Sequence, residues 1–207
     1  MMILAVWNCF HKLSKGVHNR NALRIFAISM AWTAGASAQP HPIDAGKSTL
    51  TVRVYKAGLF SALGHNHEIA APIARGAVDT AAHRVELQVK ASALQVRDPD
   101  ASGKDRDQIQ STMLGPEVLD AQRYPEIVFR STDVEPAGPA AWNVRGNLML
   151  HGETRAVAVE VRQTNGHYVG SSHFKQSDFG IKPVKVAGGT IRVKDEIEIE
   201  FNIQLAP

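Results

Sequence analysis

From Ser48 onwards the chain is dominated by a hydrophobic period of two. In STLTVRVYK, Leu50, Val52 and Val54 share one face and Thr51 and Arg53 the other. HRVELQVKA alternates Val85, Leu87 and Val89 with Glu86, Gln88 and Lys90, and TRAVAVEVRQ aligns Val157, Val159 and Val161. The longest run is DEIEIEFNIQL, where Ile197, Ile199, Phe201, Ile203 and Leu205 oppose Glu196, Glu198, Glu200, Asn202 and Gln204. Successive side chains of a strand point to opposite faces, so this pattern predicts half-buried antiparallel strands with one dry and one wet face.

One region breaks the period. SGKDRDQIQSTML opens with Ser102 three residues before Asp105, a variant of the capping box, and sets Ile109 and Met113 at helical spacing. Gly115 ends that helix, and Pro116 is expected to start a second one over PEVLDAQ, because proline is tolerated in a first turn. Pro125 forces Tyr124 towards extended geometry and restarts strand at EIVFRST. HPIDAG reads as a short entry segment, EPAGPAA as a loop and VAGGT, with Gly188 and Gly189, as a hairpin turn. A meander of about eight strands leaves two exposed edges unless it closes, and an eight-stranded barrel encloses room for side chains or one small ligand. The expected fold is therefore all-β: an eight-stranded antiparallel barrel with a short helical insertion and an apolar lumen.

Composition changes the picture mainly through the first 38 residues. Lys12, Lys15, Arg20 and Arg24 precede the apolar run IFAISMAWTAG and the small residues ASA, the order of a secretory leader cleaved after Ala38. The run is shorter than the roughly 20 residues that a membrane span requires. The expected division is a leader over residues 1–38 and one domain over 39–207, located in the periplasm. Without the four leader cations, 19 Lys and Arg face 20 Asp and Glu, and the charge of +3 becomes −1. The basic balance therefore belongs to the leader and provides no argument for a nucleic-acid partner. The single cysteine, Cys9, also lies there, so the domain would have no disulfide.

Several segments together resemble one family. RDQIQSTMLGPEVLDAQRYPEIVFRST, GNLMLHGETRAVAVEV and FKQSDFGIKPVKVAGGTIRVKDEIEIEFNI, following GLFSALGHNH, are similar in order and spacing to the YceI-like family of exported lipocalin-like proteins, from roughly Ser48 to Leu205. The resemblance implies an extended eight-stranded barrel with a long apolar cavity that binds a polyisoprenoid or another long-chain amphiphile in the periplasm. It also implies pairing of two copies and transient membrane contact. The LHGET turn maps to Leu150–Thr154 and SDFGI to Ser177–Ile181, with Gly152 and Gly180 suited to tight turns. The chain departs from the family where many members carry an arginine before the SDFG-like motif, since Lys175 and Gln176 stand there, and where GHNHE replaces a glycine and an aromatic.

The candidate chemistry centres on GHNHE. On a strand, His65 and His67 would share a face with Cβ atoms about 7 Å apart. That spacing suits one metal, with Glu68, His151 or His173 to complete the set, although zinc needs three or four ligands. A metal-binding protein or metal-dependent enzyme is accordingly the rival reading. The simpler one places His65 and His67 at the polar end of a barrel, where they, Arg75 or His151 would hydrogen-bond a quinone carbonyl or a phosphate. No G-x-S-x-G elbow is present, and Ser171 and Ser172 beside His173 sit in ordinary strand pattern. RDPDASGKDRD lacks the ligand order of a calcium loop and reads as a solvated segment before the helix. The expected cavity wall comprises Val52, Val54, Phe60, Leu63 and Phe129, continued by Leu148, Leu150, Phe179, Ile199 and Phe201. The expected function is non-catalytic carriage or sequestration of a long-chain lipid, with no cofactor.

Overall fold

The alternating segments pair into one curled antiparallel sheet in the computed structural model, which describes residues 39–57, 66–186 and 191–207. In chain order the strands are β1 (His41–Pro42), β2 (Thr49–Ala57), β3 (His67–Ala70), β4 (Ile73–Asp79), β5 (Arg84–Lys90) and β6 (Gln95–Val96). Helix α1 (Gly103–Leu114) follows, then β7 (Glu126–Gly138), β8 (Ala141–Leu150), β9 (Glu153–Thr164), β10 (His167–Lys175), β11 (Lys185–Val186) and β12 (Ile191–Ile203). The hydrogen-bonded order is β1-β4-β5-β7-β8-β9-β10-β12-β2-β3-β6, with β11 paired to β12.

The simple eight-stranded ring expected from the pattern is realised in a modified form. β3 and β4 are separated only by Ala71 and Pro72, yet β3 pairs with β2 while β4 pairs with β5. Covalent continuity thus joins the two sides of the sheet where a ladder does not. A strap reinforces the seam: His41 and Pro42 pair with β4, Ile43 N–H donates to the Gly76 carbonyl at 2.9 Å, and Asp44 N–H donates to the Gln204 carbonyl at 2.8 Å. HPIDAG is therefore a structural strap rather than a simple entry, and Ile43 is buried under it with Ile73 and Ile203.

Turn chemistry sets the registers. His151 and Gly152 both have positive φ, 52° and 78°, as do Asn165 and Gly166, 52° and 81°. Two left-handed residues in a row make the tight hairpins that match strand twist. At β4–β5 the Asp79 carboxylate instead accepts from Ala81 N–H at 3.0 Å and Ala82 N–H at 2.8 Å. The β7–β8 hairpin extends further than the sequence suggested, since Pro136 pairs with Trp142 and Gly138 with Ala141. Most of EPAGPAA is thus strand, with Pro139 and Ala140 left as the turn; a proline is compatible with strand where its missing N–H faces no ladder acceptor.

Ser102 caps α1 as expected, its hydroxyl accepting from Asp105 N–H at 3.2 Å. The second helix does not form. After Gly115 the N–H groups of Leu119 and Ala121 turn back to the carbonyls of Met113 and Leu114, and Asp120 adopts φ 42°. This compact turn buries Leu119 and Ala121, which a separate helix over PEVLDAQ would direct away from the end of α1.

Candidate functional site

Inward-facing residues of the curled sheet enclose a cavity of about 830 Å³. Its wall draws on every long strand: Leu50, Val52 and Val54 from β2, Leu87 and Val89 from β5, Phe129 from β7, Leu148 and Leu150 from β8, Val157 and Val159 from β9, and Ile199 and Phe201 from β12. α1 contributes Gln108, Ile109, Thr112 and Met113. The i, i+4 pair that suggested a helix is therefore the pair that seals one side of the cavity.

Register defines two levels along the interior. Val54 pairs with both His67 and Ile197, and Ile197 with Phe174, so these four stand at one height. Tyr168 pairs with Ile203, six residues further along β12, which places it roughly 20 Å of extended strand away. There the Tyr168 ring meets Trp142 at 6.0 Å. The polar wall residues near the first level include His67, Lys56 and Gln176.

His67 opens β3 and turns inward with Ile69, as the alternation requires. Its Nδ1 lies 2.6 Å from Asp98 Oδ2, and the other Asp98 oxygen accepts from Glu68 N–H at 2.7 Å. Asp98 is 2% exposed. Sequence reasoning missed it, because RDPDASGKDRD looks like a solvated loop. The Arg106 side chain tightens that loop by donating to the carbonyls of Asp98 at 3.2 Å and Ala101 at 2.6 Å. An Asp-Pro step, Asp98-Pro99, two residues after the buried Val96 was the available signal.

A YceI-like domain profile matches residues 42–205. The chain belongs to the YceI-like family. That family consists of lipid- and polyisoprenoid-binding proteins, generally without catalytic activity. A UPF0312 protein of Vibrio parahaemolyticus is 25% identical over 186 residues, covering 84% of this chain and 93% of the relative. A UPF0312 protein of Shewanella is 23% identical over 170 residues, covering 76% and 85%. Among solved structures, BcnA of Burkholderia cenocepacia superposes with a TM-score of 0.56 at 22% identity, over 80% of this chain and 99% of that one. At that identity the likeness is one of fold.

Within this YceI-like domain the anticipated wall residues Val52, Val54, Phe129, Leu148, Leu150, Ile199 and Phe201 all line the cavity. Phe179 does not: it is 0% exposed and its ring packs edge-on against Phe174 at 5.3 Å. The 3-10 turn Gln176–Phe179 swings it into the core at the end of β10. Phe60, Leu63 and His65 lie outside the described residues, as do Gly188 and Gly189; among the described residues Lys185 pairs with Arg192 and Val186 with Ile191.

The remaining polar candidates disperse. Arg75 is exposed beside a register shift in β4 and does not reach the cavity. His151 is a turn residue, with Nδ1 3.1 Å from the Phe179 carbonyl and its ring edge-on to Tyr124 at 4.6 Å. Glu68 faces outward and binds Arg53 at 2.9 Å. His173 is also on the outer surface, 3.9 Å from Glu198. Three of the proposed partners for a metal therefore stand apart from the inward His67, and the described residues contain no cluster of three His, Cys, Asp or Glu arranged to hold one. Ser172, which points inward, donates its hydroxyl to the Ala158 carbonyl at 2.7 Å and has a structural role.

The outer face carries a ladder of charges. Arg53 links Glu200 at 2.7 Å with Glu68, and the hydrogen bond to Glu200 raises its pKa above the ordinary arginine value. Tyr55 donates to Glu198 at 2.5 Å, which together with burial holds the phenol above its ordinary value of 10.0. These pairs lie on the opposite face of β2 from Val52 and Val54.

Proposed function

We propose that this protein is an exported carrier or sequestering protein that holds a polyisoprenoid or related long-chain amphiphile in the barrel interior. The observation that carries the reading is the cavity of about 830 Å³, within the range of roughly 300–1,000 Å³ usual for small-molecule sites and walled almost wholly by aliphatic and aromatic side chains. Each methylene transferred from water to such a wall contributes about 0.8 kcal/mol, so a prenyl chain outweighs any single polar contact. Membership of the YceI-like family supports the same class of ligand. The leader pattern of basic, apolar and small residues ending at Ala38 supports a periplasmic location.

The test is native mass spectrometry of protein purified from the periplasmic fraction without detergent. An adduct of lipid mass, identified after extraction as a long-chain amphiphile, is expected. Consistent absence of an adduct, together with failure of the stripped protein to bind a long-chain fluorescent probe, would falsify the reading.

A further inference from the structure

Two polar side chains that touch the apolar interior, Ser172 and Gln176, are already committed to the protein. Ser172 donates to the Ala158 carbonyl, and Gln176 donates through Nε2 to the Lys194 carbonyl at 2.7 Å. His67 differs because it has two ring nitrogens. Nδ1 is engaged by the buried carboxylate of Asp98 at 2.6 Å, and no hydrogen bond among the described residues uses Nε2. A carboxylate can only accept, so Nδ1 must carry the proton. In the neutral ring Nε2 then presents a lone pair. Asp98 is itself held by Glu68 N–H at 2.7 Å, which fixes the carboxylate and through it the imidazole.

We propose that His67, oriented by Asp98, selects the polar terminus of the bound molecule, and that it selects a hydroxyl donor. The inference rests on the reading that the cavity holds a long aliphatic chain. It adds that a lipid alcohol is preferred over an equally long ether. A hydroxyl can donate to Nε2 at the level of Val54, Ile197 and Phe174 while its tail runs towards Trp142 and Tyr168. An ether oxygen can only accept, and would meet the lone pair unpaired. Lys56 and Arg192 also touch the cavity and are the competing anchor, for an anionic terminus. Asp98 acts here as a positioning residue.

The test uses the full chain stripped of lipid, titrated calorimetrically with farnesol, farnesyl methyl ether and farnesyl monophosphate at a mildly alkaline pH where nitrogen-15 spectra show the His67 ring to be neutral. The expected result is a preference of about tenfold for farnesol over the ether, abolished in His67→Leu and reduced in Asp98→Asn. Nitrogen-15 spectra of the wild-type ring provide a readout independent of variant folding: Nδ1 protonated, Nε2 bare, and an Nε2 resonance that moves with farnesol and not with the ether. Equal binding of alcohol and ether, or an Nε2 signal unmoved by farnesol, overturns the inference and leaves the carrier reading intact. Tightest binding of the monophosphate, undiminished in His67→Leu, overturns it in favour of Lys56 and Arg192. Binding of none of the three overturns both.

Discussion

At Gly152 a φ of 78° coincides with a Tyr124 ring carbon 2.5 Å from where a Cβ would stand. Either condition alone disfavours a side chain, and together they predict that Gly152→Val lowers unfolding stability by about 2 kcal/mol or more in denaturant titration. Tyr55 tests a different residue-level interaction. Its hydrogen bond to Glu198 raises the phenol in the folded state, so the contribution to stability is complete below the unfolded value of about 10 and is lost as pH rises through the raised folded value. Ultraviolet titration should show one tyrosine ionising late, and Tyr55→Phe should remove that component and flatten the alkaline loss of stability. The sequence exposed this scale unevenly. Period two placed Val54 and Arg53 on opposite faces correctly. It had no means of showing that Asp98, in a stretch rich in charge, is buried against His67, because that contact joins residues 31 positions apart.

At the scale of elements, the signals that worked were local. Ser102 caps α1 within three residues, and Ser102→Ala should cost about 1 kcal/mol, measured as a shift in the thermal or urea midpoint. The expected helix over PEVLDAQ failed for a non-local reason. Leu119 is drawn into the core formed by Met113, Leu150 and Phe179, and the chain turns tightly, burying Leu119 and Ala121. The strap shows the same competition. Ile43 is 8% exposed and bridges β4 to the end of β12, so Ile43→Ala should cost about 2–4 kcal/mol. Amide exchange at Ile43 and Asp44, whose N–H groups cross the seam, should accelerate more than exchange in β8 and β9.

For the whole molecule, the decisive quantity is the shape of the interior. Val157 on β9 and Ile199 on β12, separated in the sheet order by β10 alone, both line it with apolar side chains. Ile199→Arg, which sets a charge among apolar neighbours, should reduce lipid recovered per protein by at least about tenfold while also lowering stability by several kcal/mol. Val157→Trp separates the two effects: it fills space without adding charge, and should reduce lipid uptake while keeping a cooperative unfolding transition. A ligand that binds only the folded state stabilises by mass action, so the wild type should gain about 2.7 kcal/mol at one hundred times the dissociation constant. The filled variant should gain much less.

The sequence by itself determined which residues within a strand share a face, because strand side chains alternate whatever their partners are, and it determined where α1 begins, because a cap acts over one turn. Tertiary structure alone decided the seam at β3–β4, the burial of Asp98 and Phe179, and the scattering of His151 and His173 away from His67. Each of these depends on which distant segments become neighbours when the sheet curls. Linear spacing carries no record of that curvature.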